Sequence, residues 1–155
     1  MLKKMSLINS IVNRYSESRL RAIESFASNA EEIQQKQLMG LIGKAGQTSF
    51  GKENSFGEIR NYEQFAERVA VRDYVAFAPY VERMKQGESN VCWPEKIRWF
   101  AKSSGTTDAK SKFIPVSLDA LNDCHYRGAK DSVLTYLANH PESKMLSGKC
   151  LTLGG

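Results

Sequence analysis

The chain has 155 residues, 22 of them Lys or Arg and 17 Asp or Glu, giving a formal net charge of +5. With 41% hydrophobic and 25% charged residues it has the make-up of an ordinary globular domain. That excludes a disordered tail, a collagen-like fibre and a disulfide-packed miniprotein. The length suits one core and is too short for two ordinary catalytic domains.

From the N-terminus, Met5, Ile8, Ile11, Val12, Tyr15, Ile23 and Phe26 recur mostly three or four apart, one stripe of a helix. Ser28-Asn29-Ala30-Glu31 has the form of a capping box and predicts a second helix carrying Ile33, Leu38, Leu41, Ile42 and Ala45. Gly46 and the run Gln47-Thr48-Ser49-Phe50-Gly51 should end it. Asn61 can cap a third helix through Tyr62, Phe65, Ala66 and Val69. Asp73 can cap a fourth through Val75, Ala76, Tyr80, Val81 and Met84, with Pro79 disturbing its middle or marking its start.

After Gly87 the pattern changes. Ile97-Arg98-Trp99-Phe100-Ala101-Lys102 is aromatic and roughly alternating, which predicts a strand. A Ser/Gly/Thr loop follows from Ser103, and Phe113-Ile114-Pro115-Val116 predicts a second strand that Pro115 confines to an edge or an end. Ser117 caps a long helix through Leu118, Leu121, Ala129, Val133 and Leu137, which Asn139-His140-Pro141 stops. Cys150-Leu151-Thr152-Leu153 reads as a last strand, and Gly154-Gly155 suits a turn into more protein. The expected fold class is α/β and predominantly helical. Residues 1–87 form a helical N-terminal subdomain. Residues 88–155 hold a strand–loop–strand hairpin, a long helix and a final strand. So few strands make an incomplete sheet, so the chain is expected to be the N-terminal piece of something longer, with a sticky strand edge and a tendency to self-associate.

Three cysteines, at 92, 124 and 150, leave one unpaired in any intramolecular scheme and lack metal-site spacing. They predict reduced thiols in a cytoplasmic protein, packed as small buried hydrophobes. The opening MLKKMSLINSIV lacks a cleavage site, and no apolar run approaches the roughly 18 residues of a membrane span. No membrane partner is expected.

The strongest chemical motif is Ser103-Ser104-Gly105-Thr106-Thr107-Asp108-Ala109-Lys110-Ser111-Lys112. A phosphate needs many short donors, which glycine-freed amides, hydroxyls and lysines supply. Residues 96–112 hold Lys96, Arg98, Lys102, Lys110 and Lys112 against Asp108 alone, so +4 of the chain's +5 lies here. Composition leaves two readings open: a phosphate loop, or a solvated Ser/Thr-rich hairpin loop. Gly46-Gln47-Thr48-Ser49-Phe50-Gly51-Lys52-Glu53 nearly matches an ATPase phosphate loop, but Glu53 stands where a Ser or Thr would hold magnesium and a helix precedes it. A helix C-terminal turn using Gly46 and Gly51 is the preferred reading. Cys124 and His125 are neighbours on a helix and do not face each other, so no nucleophile–base pair is expected. Glu82 and Arg83 are expected in solvent. The basic balance also admits a non-enzymatic helical module binding nucleic acid or another anion through 96–112. Yet no zinc finger or paired RNA-binding aromatic motif is present, and nucleic acid is not the expected partner.

Five segments in order carry a family resemblance: Val71-Arg72-Asp73-Tyr74; Pro79-Tyr80-Val81-Glu82-Arg83-Met84; Gly87-Glu88-Ser89-Asn90-Val91-Cys92-Trp93-Pro94; Trp99-Phe100-Ala101-Lys102-Ser103-Ser104-Gly105-Thr106-Thr107; and Lys112-Phe113-Ile114-Pro115. Thr48-x-Phe50-Gly51 and Leu151-x-Leu153-Gly154-Gly155 fit as well. Together they resemble the N-terminal part of a bacterial member of the auxin-responsive Gretchen Hagen family of acyl acid–amido synthetases. The resemblance implies an adenylate-forming ligase that uses ATP and Mg2+ to activate a carboxylic acid and passes the acyl group to an amine, commonly of an amino acid. It implies that Ser103, Ser104, Gly105, Thr106 and Thr107 form the ATP-phosphate loop with Lys112 as charge partner. Asp108-Ala109 stands where adenylating enzymes often place a glycine, and Lys110 is left out of the set. No catalytic residue or metal ligand is assigned. Adenine, ribose and most acyl contacts would lie beyond Gly155, so the chain alone is expected to be inactive.

Overall fold

The computed structural model describes residues 16–103 and 111–140, together with 142, 143, 145 and 149. The described part is mostly helical, with one small antiparallel sheet. In order it comprises a helix α1 over residues 16–28, α2 (Ala30–Ala45), α3 (Ser49–Glu53), a 3-10 turn (Phe56–Glu58), α4 (Tyr62–Arg68) and α5 (Tyr74–Lys85). Strands β1 (Trp99–Lys102) and β2 (Phe113–Val116) follow, then a π-helical stretch (Ala120–Tyr126) running into α6 (Arg127–Asn139). Among the described residues no helix is long and apolar enough to cross a membrane. The last predicted strand, Cys150–Leu153, lies outside the described residues.

The chain divides into two compact units, Ser28–Asn122 and a second formed by Met1–Ala27 with Asp123–Gly155. In the second, Arg19 grips Asp131 with both arms of its guanidinium, Nε to Oδ1 at 2.8 Å and Nη2 to Oδ2 at 2.6 Å. Those hydrogen bonds hold the Asp131 carboxyl below its ordinary range. The pair therefore stabilises the fold above the ordinary carboxylate pKa and loses that effect as pH falls through the lowered one.

Two apolar clusters hold the larger unit together. Ile42, Ala45, Phe56 and Ile59 are buried in one, and Val81, Met84, Val91 and Ile97 in the other. Trp93 packs against both. Phe50 on α3 stands edge-on to Phe56, Phe77 and Tyr80, a herringbone contact favoured by the ring quadrupoles.

Several helix ends follow the sequence closely. Asn61 accepts the Gln64 amide at 3.0 Å, Asp73 accepts that of Ala76 at 2.8 Å, and Ser117 accepts that of Ala120 at 3.0 Å. The α5 C-terminus closes at Gly87, whose φ of +89° only glycine adopts without strain. The Gly87 amide donates to Met84 O at 3.0 Å and the Glu88 amide to Arg83 O at 3.1 Å, the paired bonds of a Schellman cap.

Other expectations are corrected. The helix break falls at Asn29, not at Ser28, and only that residue separates α1 from α2. Pro79 sits inside α5 and does not begin it. The first strand starts at Trp99, because Ile97 is spent on the core. The helix after Ser117 is wound as a π-helix over its early turns before becoming α-helical.

The run after Gly46 is also not a simple turn: it opens α3. Thr48, fully buried, donates its hydroxyl to Ala45 O at 2.7 Å and accepts the Gly51 amide at 3.0 Å. Ser49 N–H donates to Asn90 O at 2.8 Å and Phe50 N–H to Val91 O at 2.9 Å. Gly51 is required by proximity, since a Cβ there would lie 2.1 Å from the Ala45 carbonyl oxygen.

Two substitutions test this packing. Gly51→Ala should destabilise the chain by about 1–3 kcal/mol or more, the range for overpacking. Gly43 lies in the last turn of α2, and a methyl added there would meet nothing within 4 Å. Gly43→Ala should therefore stabilise by about 0.5–1 kcal/mol. Urea unfolding of both variants reads the signs directly, and a Gly51→Ala midpoint equal to the parent's would contradict the close approach.

Candidate phosphate-binding hairpin

β1 and β2 pair antiparallel in the register Trp99↔Val116, Phe100↔Pro115, Ala101↔Ile114 and Lys102↔Phe113. The ladder continues one rung further. Ser103 N–H donates to Lys112 O at 2.9 Å, and Lys112 N–H donates to Ser103 Oγ at 3.0 Å. The two ends of the Ser/Gly/Thr loop are thus joined at one mouth. Ser103 uses an acceptor lone pair of its hydroxyl there and keeps the hydroxyl proton to donate. Ser104, Gly105, Thr106 and Thr107 lie outside the described residues, as do Asp108 and Lys110.

The root of the loop is fastened from α5. The Phe113 amide donates to the Tyr74 hydroxyl at 2.9 Å, and that hydroxyl lies 3.3 Å from Phe113 O. The Lys112 ammonium stands 5.5 Å from the centre of the Tyr74 ring, and the Lys85 ammonium 4.6 Å from that of Phe113. Lys96, Arg98, Lys102 and Lys112, the described cations of the basic segment, are all exposed.

A second polar cluster surrounds α3. Arg83 is only half-exposed: its Nε and Nη2 hold Glu88 at 2.8 and 2.5 Å, and Nη2 also reaches Ser49 Oγ at 2.8 Å. This corrects the solvent reading for Arg83, while Glu82 is exposed and pairs with Lys85 at 2.8 Å. The Tyr80 hydroxyl donates to Glu53, which raises its pKa, and the Arg72 guanidinium lies 5.0 Å from the Phe50 ring centre. The amides at the start of α3 bond to Asn90 O, Val91 O and Thr48 Oγ1, so the Gly46–Lys52 run has no free cradle of amides for a phosphate.

Sequence reasoning missed Tyr74 because no spacing rule connects a helix's first residue with a strand some forty residues later. The cysteines also depart from expectation. Cys92 is half-buried and Cys124 is exposed, so packing as a small buried hydrophobe does not describe the latter; Cys150 lies outside the described residues. His125 stacks edge-on against Tyr126 and is not paired with Cys124. Among the described residues, no three His, Cys, Asp or Glu side chains gather where they could hold a metal ion.

Residues 19–154 match the GH3 family N-terminal domain. The chain belongs to the GH3 family. It is 30% identical over 108 residues to an indole-3-acetic acid-amido synthetase of Arabidopsis thaliana (GH3.17), covering 68% of this chain and 18% of the relative. A second, from Oryza sativa subsp. indica (GH3.8), is 25% identical over 105 residues, covering 67% of this chain and 17% of the relative. A putative one from Oryza sativa subsp. japonica (GH3.10) is 28% identical over 121 residues, covering 77% and 24%. The chain thus spans between a sixth and a quarter of the length of these curated relatives.

Burial pushes the Cys92 thiol up to about 11, which leaves about one thiolate in a thousand at pH 8. Iodoacetamide should therefore alkylate Cys124 well before Cys92, as peptide mapping by mass spectrometry would show. Raising the pH from 8 to 10 should speed labelling of Cys92 by about a hundredfold, in step with its thiolate fraction. Equal rates for the two thiols at pH 8 would mean that the segment around Cys92 is open.

Proposed function

We propose that the chain is the N-terminal part of an ATP-dependent acyl acid–amido synthetase. An oxygen of a carboxylic acid attacks the α-phosphorus of ATP, the bond to the bridging oxygen breaks, and pyrophosphate leaves. An amine nitrogen, here expected to be an amino acid's, then attacks the acyl carbon and AMP departs. The relatives are named for forming an amide of indole-3-acetic acid; the acid and the amine used by this protein are proposed only as classes.

In this reading Ser103, Ser104, Gly105, Thr106, Thr107 and Lys112 hold the β- and γ-phosphates. Mg2+ would come with the nucleotide and would supply positive charge against its phosphates; none of these residues is assigned to hold it. The hydroxyls and amides supply short donors, and Lys112 supplies positive charge where pyrophosphate gains negative charge on leaving. The observation that carries the reading is the mouth of the hairpin: the backbone rung between Ser103 and Lys112 sets a lysine at the exit of a Ser/Gly/Thr loop whose first hydroxyl stands opposite.

The test uses the full-length protein that this reading implies. Gly105→Val should crowd the phosphates and Thr106→Ala should remove a donor. Each is expected to lower ATP–pyrophosphate exchange roughly ten- to a hundredfold, the cost of a charge-assisted hydrogen bond. Unchanged exchange in both variants would sink the assignment. The 155-residue chain by itself should make no amide, because an acyl-adenylate must be held at both ends and shielded from water. The basic segment also admits a nucleic-acid module; micromolar oligonucleotide binding that falls steeply with salt would favour that reading instead.

A further inference from the structure

We propose that Tyr74 is a positioning residue that sets both the backbone and the ammonium of Lys112 for phosphate. This inference rests on the phosphate-loop reading above and extends it to a residue outside the loop.

In an antiparallel ladder hydrogen-bonded and non-hydrogen-bonded pairs alternate. Ser103 and Lys112 exchange bonds, so at the next pair, Lys102↔Phe113, the Phe113 amide and carbonyl turn away from β1. Such outward groups normally wait for another strand or for water. Here one hydroxyl meets both: Tyr74 accepts the amide at 2.9 Å and stands 3.3 Å from the carbonyl. A single side chain takes the place of a neighbouring strand at the residue next to Lys112.

The same tyrosine presents its ring to the Lys112 ammonium at 5.5 Å, within the range of a cation–π contact. Lys112 is otherwise an exposed side chain with four rotatable bonds. The ring narrows its search, and the hydroxyl fixes the backbone that carries it. Tyr74 is itself immobilised as the first residue of α5, directly after the Asp73 cap.

A double-mutant cycle in the full-length protein tests this, read as the KM for ATP in pyrophosphate exchange. Lys112→Met should raise that KM about tenfold or more. Tyr74→Leu should raise it about two- to fivefold, the worth of an exposed cation–π contact, with the KM for the acid unchanged. The double variant should match Lys112→Met alone, because Tyr74 then has no ammonium to place. Should Tyr74→Leu fail to fold, Tyr74→Phe runs the cycle for the hydroxyl alone, because it keeps the ring: a rise in KM that disappears once Lys112 is Met supports the proposal, and no rise at all overturns it. Effects that multiply would make Tyr74 a merely structural residue and overturn the proposal. If Lys112→Met leaves the KM unchanged while Thr106→Ala raises it, the loop reading stands and this inference fails. If neither variant changes it, the loop reading has failed.

Discussion

Much of the larger unit is built around the seat of the start of α3. A five-residue helix has no stability of its own, because nucleation costs more than so few bonds return. It exists because Thr48 ties its first turn back to Ala45 while Asn90 and Val91 take the next two amides. The Ser49, Phe50 and Gly51 amides are all met; a buried one left unmet would cost about 1–3 kcal/mol. The same geometry brings the backbone at Gly51 so close to Ala45 that no side chain fits.

From that seat the rest follows by contact. Phe50 leaves α3 and meets rings from α5, and the Schellman cap at Gly87 turns the chain so that Val91 can enter the second cluster. Asn90 adopts a φ of +58° to bring its carbonyl to Ser49, a left-handed conformation that asparagine tolerates better than most residues. α5 then offers Tyr74 to the outer edge of β2. A chain of packed and hydrogen-bonded groups therefore runs from α3 through α5 to the mouth of the hairpin.

How much of this was legible in the sequence depended on range. Asn61, Asp73 and Ser117 announce their helices because a cap is a local event, decided within three residues. The hairpin was legible from two short apolar runs around a Ser/Gly/Thr loop, and its register sets Ser103 against Lys112. What stayed hidden was contact between distant segments. Nothing in Thr48-Ser49-Phe50-Gly51 reveals that its amides bond to residues 90 and 91, so a helix start looked like a turn. The fork of Arg83 onto Ser49 and the hydroxyl of Tyr74 on Phe113 were hidden for the same reason. The π-helical winding of Ala120–Tyr126 has no periodic signature that would separate it from an ordinary helix.

The two tryptophans occupy opposite situations. Trp93 is wedged against both apolar clusters, beneath the Lys44 ammonium at 5.9 Å, whereas Trp99 is exposed at the start of the hairpin. Their intrinsic fluorescence should therefore be separable without any label. External quenchers such as iodide should reach the exposed indole on β1 more readily than the half-buried one between the clusters, so one molecule carries an optical gauge of its packing and another of its hairpin.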